Sequence, residues 1–167
     1  MISNLKLEER PHLLALDLGL SFGWACYTDD ARLITYGSHH CAKRAKLKSI
    51  AWSALSKLPS GSEVYIEGGG VLLSIWHKEA RRRNLTCHLL HAERWRAECL
   101  LPRDQQSGAL AKRKAQTLAR PLIISCAGQA PTSLRHDTAE ATLMGWWALY
   151  QSEWISAVQF KRGLSLS

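Results

Sequence analysis

The run His12-Leu-Leu-Ala-Leu-Asp-Leu-Gly19 decides the fold class. Unbroken apolar residues closed by a glycine predict a buried strand, and this one delivers a carboxylate, Asp17, to its end. A carboxylate in that setting is costly to bury unless it has a job. Gly19 and Ser21 predict a tight turn into a second strand, Phe22 to Thr28. Asp29-Asp30 turns the chain again, and Arg32 to Ser38 completes a three-stranded antiparallel meander. Working outward, Leu47, Ile50, Ala51, Ala54, Leu55 and Leu58 recur at helical spacing, predicting a helix over Ala42 to Leu58 ended by Pro59 and Gly61. Glu63-Val-Tyr-Ile-Glu67 is a short strand that again closes on a carboxylate, followed by Gly68-Gly69-Gly70. Helix, strand and helix are expected at Val71 to Asn84, Leu85 to Leu90 and Glu93 to Leu100. Arg103 to Gly108 reads as a polar, mobile stretch. Ala109 to Ala119 reads as a basic helix stopped by Pro121, and Thr132 to Trp154 as a long final helix with Thr/Ser capping candidates. Three antiparallel strands followed by strands alternating with helices make an α/β domain with a mixed sheet flanked by helices.

The chain has 167 residues, 46% of them hydrophobic, a composition suited to one globular domain with a sizeable core. No linker, repeat or low-complexity tract divides residues 1–167. No run approaches the roughly 18 apolar residues of a membrane span. Met1 to Arg10 mixes charge and polarity where a signal peptide needs an apolar stretch, so a soluble, cytoplasmic protein with no membrane partner is expected. Five dispersed cysteines, with no C-x-x-C pair, argue against zinc knuckles or a disulfide framework. The formal net charge of +8 points to a polyanionic partner, of which nucleic acid is the commonest.

Against that basic background one acidic pattern stands out. Asp17 and Glu67 each end a strand, and Asp137-x-x-Glu140 sits near the start of the final helix. Positions i and i+3 share a helix face, and the small residues Thr138, Ala139, Ala141 and Thr142 let that turn approach the sheet. Gathered at one spot, each pair of carboxylates 4 Å apart would repel by about 4 kcal/mol at an effective dielectric of 20. A hard divalent cation, Mg²⁺ or Mn²⁺, is the usual remedy for an all-oxygen donor set. Taken singly, Asp137 or Glu140 reads more readily as a surface acid; the combination is the specific signal. His136 is either a further ligand or acid, or a polar helix-start residue.

Asp17-Leu-Gly19 followed by Phe22-Gly-Trp-Ala25, strand-end Glu67, and Asp137-x-x-Glu140-Ala in the final helix together resemble the RuvC branch of the RNase H-like superfamily. The likeness is nearest to phage-type and RuvC-like Holliday junction resolvases, and it spans nearly the whole chain in order. It implies an RNase H-like fold and a homodimeric, metal-dependent endonuclease that nicks two strands symmetrically across a four-way or branched DNA junction. It further implies Asp17, Glu67, Asp137 and Glu140 as metal-binding catalytic residues, although the fourth position is more often Asp. Two ions about 4 Å apart would activate water and stabilise the leaving 3′ oxygen, giving 5′-phosphate and 3′-hydroxyl ends. No protein nucleophile is needed.

The resemblance also assigns the basic interval between Glu67 and Asp137 to DNA. Lys78, Arg81, Arg82, Arg83, Arg96, Lys112, Arg113 and Lys114 are the expected DNA-binding residues, with Lys114 also supporting catalysis. Further basic residues occur at Lys43, Arg44, Lys46 and Lys48, at Arg120, and at Lys161 and Arg162. Any such cluster can equally be a solvated helix face. Where the family carries an aromatic wedge, this chain has Gly68-Gly-Gly70. Trp76 is the nearest aromatic, either a stacking residue on DNA or a tryptophan of the core or dimer interface. Val71-Leu-Leu-Ser-Ile-Trp76 is the candidate dimer contact, while Trp146, Trp147 and Trp154 read as packing residues. Two other readings compete: an RNase H-fold nuclease acting on RNA–DNA hybrids or structured RNA, and a non-catalytic nucleic-acid-binding module. An actin-like ATPase shares the Asp-Leu-Gly strand but needs a second lobe.

Overall fold

The computed structural model describes residues 10–19, 21–40 and 44–165. Its strands are β1 (His12–Asp17), β2 (Ser21–Thr28), β3 (Leu33–His40), β4 (Glu63–Glu67) and β5 (Thr86–Leu90). Its helices are α1 (Arg44–Leu55), α2 (Gly70–Arg82), α3 (Ala92–Cys99), α4 (Gly108–Ala127), α5 (His136–Gln151) and α6 (Ala157–Leu164). The strands form one mixed sheet in the order β3-β2-β1-β4-β5. β1 pairs antiparallel with β2 and parallel with β4. β2–β3 is antiparallel, and β4–β5 parallel. Among the described residues no helix is long and apolar enough to cross a membrane.

Strand alternation sorts the core into two layers. Leu14 and Leu16 of β1, with Val64 and Ile66 of β4, pack against α1 and α2 through Leu47, Ala51, Leu55, Trp76 and Ala80. Leu13 and Ala15, with Ala25, Tyr27 and Tyr65, face the opposite layer, which contains α4 and α5. Residues 138–149 of α5 are all buried. A helix buried on every side belongs in the middle of its layer. Tyr27 donates its hydroxyl to the Thr142 carbonyl at 3.0 Å, fastening β2 to α5. The Trp146 and Trp147 ring N–H groups donate to the Phe160 carbonyl and to Glu98, fastening α6 and α3.

The crossing of α5 over the sheet is set by missing side chains. A Cβ on Gly23 would lie 2.0 Å from the Asp137 carbonyl oxygen, so the first turn of α5 rests directly on the β2 backbone. Farther along α5, a Cβ on Gly145 would meet the Tyr27 ring at 2.6 Å.

Several expectations need correction. α4 passes through Pro121 and ends at Gly128, whose φ of 75° and N–H bond to the Ile124 carbonyl close the helix. The buried stripe Leu118, Ala119, Leu122 and Ile123 continues past the proline and outweighs the roughly 3 kcal/mol that a proline costs inside a helix. The final helix starts at His136; Thr132 and Ser133 lie before it, and the N-cap is Arg135. It stops at Gln151, and Glu153, at φ 59°, turns the chain away. The separate α6 was not foreseen, although Ser156 and Gln159 form a capping box readable as S-x-x-Q. The stretch 103–108 overlaps a 3₁₀ turn (Pro102–Gln105) and includes the first residue of α4. Of the predicted helix over residues 42–58, the start lies outside the described residues, as do Cys41, Lys43 and the side chain of Arg44. The remaining cysteines are free thiols.

Gly23→Ala tests the α5 contact. Backbone would have to move, so we expect a loss of about 1–3 kcal/mol in urea denaturation. Gly69→Ala, whose Cβ meets nothing within 4 Å, serves as the tolerated control. Equal stabilities would disprove the contact.

Candidate active site

Asp17 and Glu67 are the last residues of two parallel neighbours and stand directly in register. Asp17 continues the Leu13–Ala15 face, and Glu67 the face of Tyr65, so both point toward the α5 layer. Gly23 is the antiparallel partner of Asp17. The α5 turn that rests on Gly23 therefore brings Asp137 and Glu140 over the same strand ends. The four carboxylates line one cavity of about 670 Å³, together with Arg96, Lys112, Gln116, Arg135 and His136.

Each acid except Asp17 has a local partner that fixes it. Glu140, only 4% exposed, pairs with the Arg96 guanidinium. Such a buried charge requires a partner. Glu67 accepts the Trp95 ring N–H at 2.6 Å. Asp137 accepts the backbone N–H of Thr138 at 2.8 Å and lies 3.5 Å from Arg135. It thereby satisfies one of the open donors at the helix N-terminus, where the dipole also favours an anion. Burial pushes the Asp17 carboxyl up to about 8, and the charges of Glu67, Glu140 and Asp137 add to the shift while Arg96 opposes it. Burial also raises Glu67, against the Trp95 hydrogen bond and the Arg96 charge.

The donor set is all oxygen and suits a hard cation. Positive charge beside Asp17 would offset the burial and repulsion that hold its proton. Among the described residues no group of three or more His, Cys, Asp or Glu side chains is already drawn together as metal ligands. Three of the four acids instead engage protein partners: Arg96, Arg135 and the Trp95 and Thr138 N–H groups.

The structure divides the other expected site residues. Arg96 and Lys112 line the cavity; Lys114 does not. The two lysines are about 200° apart on α4 at 3.6 residues per turn, so only one can face the acids. Gln116, one turn after Lys112, shares its face and donates to the Leu134 carbonyl at 2.6 Å, bracing the segment before α5. Arg113 is exposed and away from the cavity. Trp76 is not a DNA contact at all. It is 0% exposed, packed edge-on against Phe22 in the α1–α2 layer, because its position on α2 faces the underside of the sheet. Lys78, Arg81 and Arg82 ride on that same helix and Arg83 is its C-cap; none of the four lines the cavity of the acids. Arg82 and Arg83 pair with Glu79 instead. Of the Val71–Trp76 segment, Val71 is 52% exposed while Leu72, Leu73 and Ile75 pack partly against the core.

Sequence reasoning missed Trp95, Gln116 and Arg135 as parts of the site. The helical spacing of Lys112 and Gln116 could have found the glutamine. Nothing local marks Trp95 as the donor to Glu67, since its neighbour in the site comes from another element. The chain matches no family model and no curated protein.

The raised Asp17 carboxyl predicts a pH signature in the cation-free protein. A folded value near 8 against an ordinary 3.8 means that stability is fully present below about pH 4 and is lost as pH rises through about 8. Asp17→Asn should therefore raise the Tm at pH 8.5 in chelator and change it little at pH 4. A variant equally or less stable at pH 8.5 would refute the burial and crowding of this acid.

Proposed function

We propose that the chain is a metal-dependent, structure-selective endodeoxyribonuclease of RNase H-like fold, akin to the RuvC branch, that resolves four-way and branched DNA junctions by paired nicks. One observation carries the reading: acids from β1, β4 and α5 line one cavity, and a basic and polar rim surrounds them. The sheet order, with three antiparallel strands joined to two parallel ones, is compatible with that fold. Asp17, Glu67, Asp137 and Glu140 would hold Mg²⁺ or Mn²⁺. Such ions, when bound, supply an activated water and charge neutralisation at the leaving 3′ oxygen.

The remaining steps belong to the chain's own groups. Trp95 orients the Glu67 carboxylate, and Arg96 holds Glu140 in place and balances the crowded negative charge. Lys112 and Arg135, both exposed and both lining the cavity, would take backbone phosphates near the scissile bond. His136 opens on the same cavity and is available to a departing oxygen as a proton donor. Symmetric nicking of a four-way junction needs two such sites, hence a homodimer.

Incubation with a synthetic four-way junction, a duplex, a flap and an RNA–DNA hybrid in Mg²⁺ or Mn²⁺ tests the reading. Paired symmetric nicks on the junction, with 5′-phosphate ends and abolished by Asp17→Asn, are expected. Efficient hybrid cleavage with an inert junction would overturn the junction assignment, and no cleavage of any substrate would overturn the nuclease.

Within that assay Lys112→Ala should slow cleavage about 10- to 100-fold, the worth of one charge-assisted phosphate contact. Lys114→Ala should slow it much less. The reverse order would contradict the assignment of the two lysines.

A further inference from the structure

On the face of the sheet opposite the acids, α1 and α2 leave an open groove of about 1040 Å³ between them. Its floor is aromatic and apolar: Trp52 is 59% exposed, Val71 52%, and Ile75 lies alongside. Its rim is basic, with Lys48, Lys78 and Arg82. Glu79, the one acid of the lining, pairs with both Arg82 and Arg83 and so presents little net negative charge. The Arg83 guanidinium, held by Glu79, lies over the Trp52 ring at 5.9 Å from its centre. The indole is thus braced and still largely open to solvent, an arrangement that a core residue does not need.

We propose that this groove binds a single-stranded segment of nucleic acid, with a base stacked on Trp52 and backbone phosphates on Lys48, Lys78 and Arg82. The chemistry of the groove selects that occupant. An exposed indole offers a π-face to any base, and the lysines and arginine that line the same groove supply positive charge for backbone phosphates. A phosphate-free apolar partner would desolvate Lys48 and Lys78 without counter-charge, and Arg82 with only the Glu79 carboxylate that it shares with Arg83. A second copy of the chain meeting this face about a two-fold axis would oppose basic rim to basic rim. A duplex keeps its bases stacked inside and has none to offer the indole. Ser49 and Ser74 also border the groove, but their hydroxyls donate to the Lys46 and Val71 carbonyls at 3.0 and 2.9 Å, so the lysines and Arg82 are the groups left for phosphate. The groove lies across the sheet from the carboxylate cavity, so a strand held there is not itself presented to the acids. The role that follows is retention of an unpaired strand while the opposite face handles phosphodiesters. The inference needs nucleic acid as a partner but not the nuclease chemistry.

The test is fluorescence anisotropy of labelled 12-nucleotide oligo-dT and oligo-U, and of a blunt duplex, measured in chelator so that cleavage plays no part. Trp52→Ala should weaken single-strand binding about tenfold, and Trp52→Phe should restore it to within about twofold, because stacking survives the smaller ring. Duplex affinity should change little. Lys78→Ala with Arg82→Ala should lower the slope of log affinity against log salt by about 1.4, the loss of two phosphate contacts to a single strand. Loss for only one of the two oligonucleotides would assign the groove to DNA or to RNA within the same proposal. Val158→Ser, exposed on α6 in the other layer, is the neutral control. Unchanged single-strand affinity in Trp52→Ala would overturn the proposal. So would an equal loss for the duplex, or a Trp52→Ala protein that sediments as a smaller species with its oligonucleotide affinity intact, which would make the groove a self-association face.

Discussion

The backbone-to-backbone contact between Gly23 and the first turn of α5 governs the rest of the molecule. Without a Cβ at position 23, the Asp137 carbonyl can rest on β2, and α5 is drawn down until Thr138 to Leu149 are enclosed. Because Gly23 is paired with Asp17, and Asp17 with Glu67, that single approach brings four acids from three elements to one place. Any side chain at position 23 would lift the helix and disperse them.

Concentrating negative charge in this way opposes folding, and its compensation is visible atom by atom. Arg96 neutralises Glu140, Trp95 solvates Glu67, and the open N-terminus of α5 solvates Asp137. Asp17 bears the residual cost, and burial together with its three acidic neighbours keeps its proton on to about pH 8. The burial of α5, fastened to β2, α3 and α6 by Tyr27, Trp147 and Trp146, supplies the stabilisation that tolerates this cluster. An arrangement that is electrostatically unfavourable by itself and structurally enforced is a common mark of a functional site. The two faces of the sheet then differ in character, with crowded acids above and an aromatic groove with a basic rim below.

Much of this was legible along the chain, because strand periodicity and strand-end acids are local signals. β4 was located to the residue, and the mixed sheet and the order of the acids followed from alternation and glycine punctuation. What was not legible depended on contacts between distant segments. Pro121 is a helix stop by local rules, yet the apolar stripe on either side of it is buried against neighbouring helices. Lys112 and Lys114 look interchangeable in sequence, and only the rotation of α4 against α5 separates them. Trp76 is the aromatic nearest in sequence to strand-end Glu67, but α2 turns it under the sheet. Gly23 sits unremarked within a strand, and its importance appears only when the helix that crosses it is known.

The central claim is that Asp17, Glu67, Asp137 and Glu140 act together as one hard-cation site. Titration of the DNA-free protein with Mn²⁺, following free Mn²⁺ by electron paramagnetic resonance at pH 8, tests it most directly. The account predicts saturable binding of about two ions per chain, weakened at least tenfold by Asp17→Asn and by Glu140→Gln but not by Glu153→Gln. Binding equally strong in all four proteins, or none in the unsubstituted one, would contradict it.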